Sequence, residues 1–305
     1  MKDPVNLAAS VHHRLKNTAR QSGERFNDLL QHYALERFLH RLAESAHRDQ
    51  FILKGALMLR VWRVTQLRPT RDIDLLGRVA NDAARMAAMI RGICETDVKP
   101  DGMEFDAESV KVAPIAANAK YEGLQATFAG RLGSARLPMR IDVGFGDRVT
   151  PGPVEIEYPS VLDGRGSRLL GYTPETTIAE KLHVMLDRGI FNSRVKDFFD
   201  IWALSLNREF DGRTLSMAIR QTCANRSTAI TGNPEALQEE ALSDSQRAAQ
   251  WTAFRSRLGA VESPLSFAEV GRSVSSFLRP VLEAVAAGTD LDRRWVPGGP
   301  WVPFA

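Results

Sequence analysis

The sequence predicts an α+β fold: a mixed or antiparallel sheet with flanking helices, followed by a mostly helical C-terminal domain. Three observations predict it. Short apolar, β-compatible runs lie among segments of helical periodicity in the first half. Three strand-like runs then follow one another between about Val110 and Val143, with Gly and Ser turn residues in the middle stretches, as meandering antiparallel strands would. From Thr173 onward the apolar spacing is almost wholly helical. The chain of 305 residues is long enough for two ordinary domains, and a division at 1–165 and 166–305 is expected, within Asp163–Gly171.

Residues from about Asn6 to His47 read as helical. Phe26, Leu29, Leu30, Tyr33, Phe38, Leu39 and Leu42 fall mostly at helical spacing, leaving Arg25, Arg37, His40 and Arg41 for the outer face. The run FILKGALMLRVW reads as a short strand at Phe51–Leu53, then Lys54-Gly55, then a helix. A strand entering a helix through glycine offers free backbone N–H groups to an anion. The chain turns at Leu67–Thr70 and enters a strand at Asp72–Leu76. An Ala- and Met-rich amphipathic helix follows at Asn81–Cys94. Further on, YTPETTIAEKLHVMLDRG has Thr173 as N-cap, Pro174 at N1, Glu175 in the first turn and Gly189 as the stop. More helices are expected around Arg194–Leu206, Leu215–Ala224, Asp244–Leu258 and Phe267–Ala287. The tail RRWVPGGPWVPFA is expected to dock by its aromatic rings without forming an element.

Composition narrows the function classes. Hydrophobic residues make up 44% and charged residues 25%, ordinary for a soluble globular protein. No apolar run nears the ~20 residues that span a bilayer, and MKDPVNLAAS lacks the apolar core of a signal peptide. Cys94 and Cys223 have neither C-x-x-C nor zinc-like spacing, so both are expected as free thiols in a cytoplasmic protein. The net charge is +3, and the excess sits early: fourteen Lys or Arg against eight Asp or Glu from Met1 to Arg78. That suits either a solvated helical surface or a nucleic-acid partner.

The stretch RPTRDIDLL carries the chemistry. Strand interiors avoid Asp, yet Asp72 and Asp74 stand one residue apart in an apolar run beside Arg71. Alternation puts both acids on one face, with Ile73 and Leu75 on the other. Two carboxylates this close repel, and a divalent cation offsets that; magnesium takes one or two carboxylates plus substrate phosphates. The same pair would also serve as edge-strand charges that block aggregation. A third acid, Asp142, interrupts another apolar strand in LPMRIDVGFGD, on the face of Arg140 and Gly144. If the two strands are neighbours, three carboxylates share one sheet face. Such a set holds up to two Mg²⁺ ions for nucleotidyl transfer from an NTP. Asp142 would be a ligand, a general base, or both, or the partner of Arg140 or Arg71. The junction Lys54-Gly55-Ala56 would cradle the phosphates.

With these pieces in place the chain resembles the nucleotidyltransferase-like toxins of the AbiEii family, in the DNA polymerase β-like superfamily. The resemblance rests on LKGA, RPTRDIDLLG, MRIDVGFGD, YTPETTIAEKLHVMLDRG, SRVKDFFDIWAL, and FLRPVLEAVAAG followed by WVPGGPW, in family order. One departure is Gly55-Ala56 where the superfamily has Gly-Ser, which removes a hydroxyl contact to phosphate. The gap from Gly55 to Asp72 is also long. The resemblance implies an active-site role for Lys181 and, through a K-D-x-x-D pattern, for Asp197, which would orient Lys181. Arg71, flanking the acids, and Arg188, Arg194 and Lys196 are further candidates for the nucleotide. It implies a helical domain that completes the active-site cleft, a cognate antitoxin encoded nearby, and an RNA acceptor such as the 3′ end of tRNA. Arg14, Lys16, Arg20, Arg37 and Arg41 would dock that RNA. The alternatives are transfer to a small molecule or a protein hydroxyl, and a non-catalytic nucleotide- or partner-binding module.

Overall fold

The computed structural model describes residues 4–64, 68–115, 123–162, 164, 166–189, 194–258 and 265–304. The chain divides into two compact units. The first comprises Met1–Val61, Pro69–Gly146 and Val154–Gly171; the second comprises Trp62–Arg68, Asp147–Pro153 and Tyr172–Ala305. RPTRDIDLL thus gives Arg68 to the second unit and its acids to the first.

The first unit runs α1 (Pro4–Ser22), α2 (Phe26–Glu44), β1 (Phe51–Lys54), α3 (Met58–Val61), β2 (Ile73–Gly77), α4 (Ala83–Cys94), β3 (Met103–Pro114), β4 (Gly123–Leu132), β5 (Ala135–Phe145), β6 (Val154–Tyr158) and β7 (Ser167–Gly171). All seven strands form one sheet in the order β3-β4-β5-β2-β1-β7-β6. It is mixed: β2 pairs parallel with β5 and β1 with β7, and the remaining pairs are antiparallel. The expected meander is β3-β4-β5, while VEIEY and SRLLG, not anticipated, add β6 and β7.

The core lies on one face of this sheet. Alternation sends Phe128, Met139, Ile141, Ile73 and Leu75 to that side, all buried. Phe38 of α2 meets Phe105 and Phe128 there, ring centroids 5.7 and 5.3 Å away. Asp82 caps α4 by accepting from the Arg85 N–H, which fixes where that helix starts. The helical stretch expected at about Asn6–His47 is two helices, α1 and α2, separated around Gly23, whose φ of 72° suits only glycine well.

The second unit is mostly helical: α5 (Pro174–Arg188), α6 (Val195–Asn207), β8 (Phe210–Asp211), α7 (Gly212–Asn225), α8 (Glu239–Leu242), α9 (Ser245–Arg255), α10 (Phe267–Ala286), β9 (Arg294–Trp295) and β10 (Trp301–Val302). Thr173 caps α5, with Pro174 opening the helix and Gly189 ending it at φ 49°. Ser266 and Glu269 close a reciprocal capping box on α10. The tail departs from expectation. It forms β9 and β10, joined to β8 in a three-stranded sheet. Its rings do dock: Trp301 stacks on Phe277 at 5.6 Å and 2°, and Trp295 meets Phe277 edge-on at 4.8 Å. Among the described residues no helix is long and apolar enough to cross a membrane.

Candidate active site

The site in the first unit follows from strand register. At one level of the sheet, neighbours run Ala113, Gln125, Asp142, Asp74, Lys54 across β3, β4, β5, β2 and β1. Partners in register leave the same face of a sheet. Asp74 and Asp142 are therefore neighbours on adjacent parallel strands, with Lys54 beside Asp74. Asp72, two residues before Asp74, is tied to the same face through Arg140, whose Nε lies 3.7 Å from Asp72 Oδ1. Arg140 also donates from Nε and a terminal nitrogen to the two oxygens of Asp142, each at 3.2 Å. Gln125 donates to Asp142 Oδ1 at 2.9 Å.

The three acids thus share a face without forming a finished metal cage. Among the described residues no three His, Cys, Asp or Glu side chains stand close enough together to hold a metal ion. Arg140 engages both oxygens of Asp142. The donor set itself fits an oxygen-preferring divalent ion. The cradle fits as well: a Cβ on Gly55 would lie 2.0 Å from Asp74 Oδ2, so the Asp74 carboxylate fills the space that glycine leaves.

Gly55 has φ 73° and opens a three-residue 3₁₀ turn, Gly55–Leu57, that leads into the four-residue α3. The helix expected after the glycine is thus present and short, a 3₁₀ turn followed by the four residues of α3. Ala56 is buried. Arg71 is exposed and makes no side-chain hydrogen bond or ion pair among the described residues.

A second cluster lies within the second unit. Lys181 Nζ, on α5, donates to Asp200 Oδ2 at 2.6 Å and to Asp197 Oδ1 at 3.0 Å, both on α6. Arg68 grips Asp200 with two bonds of 2.8 and 2.9 Å. Arg194 pairs with Asp197 at 2.7 Å. Asp200 is 0% and Asp197 1% exposed, so both acids are buried although they share α6 with the apolar Val195, Phe198, Phe199 and Trp202. Burial alone would raise the Asp200 pKa, but Arg68 and Lys181 outweigh it and hold the carboxyl well below its usual range. Burial opposes the Lys181 charge, and the carboxylates of Asp197 and Asp200 overcome that and raise its pKa. Lys196 reaches solvent, yet loss of hydration, then the charges of Arg194 and Arg68, lower its pKa. Four cations gather around two acids, leaving a local positive surplus. Arg188 stands exposed in the last turn of α5 and makes no ion pair among the described residues.

Sequence reasoning paired Lys181 with Asp197 and missed Arg68 and Asp200. The D-x-x-D spacing of Asp197 and Asp200 was the available signal for the second acid. Nothing in the local pattern marked Arg68, which is remote in sequence. The cations of the N-terminal helices divide. Arg14, Lys16 and Arg20 are exposed on α1. Arg41, expected on the outer face of its helix, is buried: it donates to both Asp101 oxygens at 2.9 and 3.2 Å and to the Met103 carbonyl at 2.9 Å. Arg37 is largely covered, pairs with Glu36 and lies over the Tyr33 ring. The helical wheel misplaced both because arginine can bury its stem and charge when an acid is supplied from elsewhere in the fold.

This combination, a mixed sheet with opposed acids on a parallel strand pair and a helical unit with a lysine–aspartate cluster, defines the class. It is the fold of nucleotidyltransferase toxins. MenT4, a nucleotidyltransferase toxin from Mycobacterium tuberculosis, superposes with a TM-score of 0.50 and 14% identity, over 90% of this chain and 98% of that one. JHP933 from Helicobacter pylori superposes with a TM-score of 0.50 and 12% identity, over 86% and 93%. At these identities the likeness is one of fold. The family model "Nucleotidyl transferase AbiEii toxin, Type IV TA system" matches residues 37–278, and the chain belongs to that family. No curated protein sequence matches it closely.

Proposed function

We propose that the protein is a toxin that transfers NMP from an NTP to an RNA hydroxyl, at the 3′ end of tRNA, and so blocks translation. The observation that carries the reading is the in-register pair of Asp74 and Asp142 beside the Gly55 turn. In this reading Asp72, Asp74 and Asp142 hold Mg²⁺. When bound, the ion offsets triphosphate charge and lowers the pKa of the attacking hydroxyl.

The chain's own groups do the rest. Gln125 fixes the orientation of Asp142, which takes the proton of the acceptor hydroxyl. The hydroxyl oxygen bonds to the α-phosphorus, the bond from that phosphorus to the bridging oxygen breaks, and pyrophosphate leaves with the electron pair. Backbone donors at Gly55 and Ala56, with Lys54, engage the phosphates. In the second unit Lys181 is a candidate point charge for phosphate, its amine fixed by bonds to Asp197 and Asp200. Arg194 and Lys196 add to the positive potential around Lys181, and Arg71 and Arg188, which make no ion pair among the described residues, are further candidates to meet an anion. The family description supports an antitoxin partner.

The test is a labelling assay. The protein is incubated with Mg²⁺, each α-³²P-NTP in turn and total tRNA, alongside Asp74→Asn and Lys181→Ala. Label in tRNA from a preferred NTP, lost in both variants, is the expected result. Label in a small molecule or in protein would replace the RNA acceptor. No transfer to any acceptor, with NTP binding equal in all three proteins, would sink the catalytic reading.

A further inference from the structure

The carboxylate row marks one end of an open surface. Beyond Asp142 the same face of β5 carries Arg140, Pro138 and Arg136 toward the β4–β5 hairpin, and all three are exposed. The matching positions of β4 are Thr127, Ala129 and Arg131, in register with Arg140, Pro138 and Arg136 respectively. Lys111 of β3 stands in register with Thr127. The opposite face of these strands is closed by the aromatic core, so only this side is open to a ligand.

Charge decides what suits it. Arg131 and Arg136 are direct cross-strand partners, an arrangement that costs stability because like charges face each other. Among the described residues Lys111, Arg131 and Arg136 make no side-chain hydrogen bond or ion pair; Arg131 has Glu104 in register on β3, while Lys111 and Arg136 have no acid in register. The exposed acids nearby, Glu104, Asp106 and Glu108, all stand on edge strand β3; past Asp142, β4 and β5 carry none. From Asp142 to Arg136 is six residues, about 20 Å at ~3.3 Å per residue. Between the ends lie Ala129 and Pro138, small and flat. A polyanionic strand fits such a strip, with its terminus at Asp142 and its phosphates over the cations.

We propose that this face of β4 and β5, with Lys111, is the track for the single-stranded end of the acceptor RNA. The proposal rests on the transfer reading above and moves the RNA contacts from the N-terminal helices to the sheet. Phosphate contacts of this kind set affinity and register without reading bases.

The experiment compares two triple variants of the full chain that remove equal charge: Lys111→Gln/Arg131→Gln/Arg136→Gln on the sheet, and Arg14→Gln/Lys16→Gln/Arg20→Gln on α1. Binding of labelled total tRNA is measured across a salt series. NTP binding is measured by equilibrium dialysis, and folding by circular dichroism. The sheet variant is expected to bind tRNA about tenfold more weakly. Its log K against log salt should be shallower by about 2, since each single-strand phosphate contact contributes ~0.7. NTP binding and folding stay unchanged, and the α1 variant stays close to the parent. Parent-like tRNA binding by the sheet variant, with tRNA still labelled, overturns this track while leaving the transfer reading standing. A parent that binds NTP but no tRNA even at low salt overturns the RNA reading itself, and this proposal with it.

Discussion

Asp74 of β2 and Asp142 of β5 face each other in register across a parallel strand pair. Like charges so placed oppose folding, and the sequence around them supplies the remedies. Lys54 stands in register on the far side of Asp74, and Arg140 and Gln125 hold Asp142. The arrangement is a stability cost retained at one point of an otherwise well-packed sheet, as expected where selection is for chemistry.

Asp142→Asn tests whether the acid is there for function. The amide oxygen still accepts from Gln125, and the lost ion pair is with an Arg140 that is 46% exposed, so it was worth less than about 1 kcal/mol. Transfer should fall by roughly 10²–10³-fold, while the thermal midpoint moves by no more than about 3 °C. A midpoint drop well beyond that, with activity lost in proportion, would make Asp142 a structural residue.

Gly55 and Gly146 form a natural comparison. Their φ values are 73° and 76°, so alanine at either position suffers the same left-handed strain, about 1–2 kcal/mol. Only at Gly55 does the new Cβ collide, 2.0 Å from Asp74 Oδ2; at Gly146 it meets nothing within 4 Å. Gly55→Ala should therefore lose both stability and transfer, whereas Gly146→Ala loses about the same strain energy and keeps most of its activity. Equal activity in the two variants would remove Gly55 from the site.

How far these features could be read beforehand depends on the range of the interaction. Alternation along a strand is local, so the shared face of Asp72 and Asp74, and of Arg140 and Asp142, was legible without coordinates. So was the whole of α5, because Thr173, Pro174 and Gly189 are local signals for its ends. That β2 and β5 are neighbours, and parallel, was not legible, because roughly sixty residues and two other strands separate them in sequence. Arg68 was hidden for the same reason, and Arg41 because its partner Asp101 comes from a distant segment. The strands β6 and β7 escaped notice because VEIEY and SRLLG are short, and only their place beside β1 makes them part of the sheet.

The Lys181 cluster predicts a coupled loss. Asp200 is fully buried and takes bonds from both Arg68 and Lys181. Removing one cation leaves a buried carboxylate undercompensated, which costs roughly 3–5 kcal/mol. Arg68→Ala should destabilise the second unit by about that amount, and Asp200→Asn made in that background should cost little more. All five tryptophans (Trp62, Trp202, Trp251, Trp295 and Trp301) belong to the second unit, so urea unfolding followed by tryptophan fluorescence reads it selectively. Additive losses in the double variant would mean that Arg68 and Asp200 act independently.

In the first unit His32, with His40 shifted in the same direction by burial, contributes to the pH dependence. Its ring is buried on α2 and shares a 2.8 Å hydrogen bond with the Tyr158 hydroxyl on β6. Burial, and then the charge of Arg60, push its pKa well below the ordinary 6.5. The unfolded chain therefore takes up a proton near pH 6.5 while the folded one does not, so stability falls as pH drops through that value. Glu36 works in the other direction: burial raises its pKa, so the folded state holds a proton that the unfolded state has already released. The two are separated by substituting one of them. His32→Gln keeps a group able to bond Tyr158 and removes the titration. Between pH 7 and 5 the parent should lose more stability than His32→Gln, measured by denaturant unfolding followed through far-ultraviolet circular dichroism. Parallel curves for the two proteins would show that His32 carries the same proton in both states.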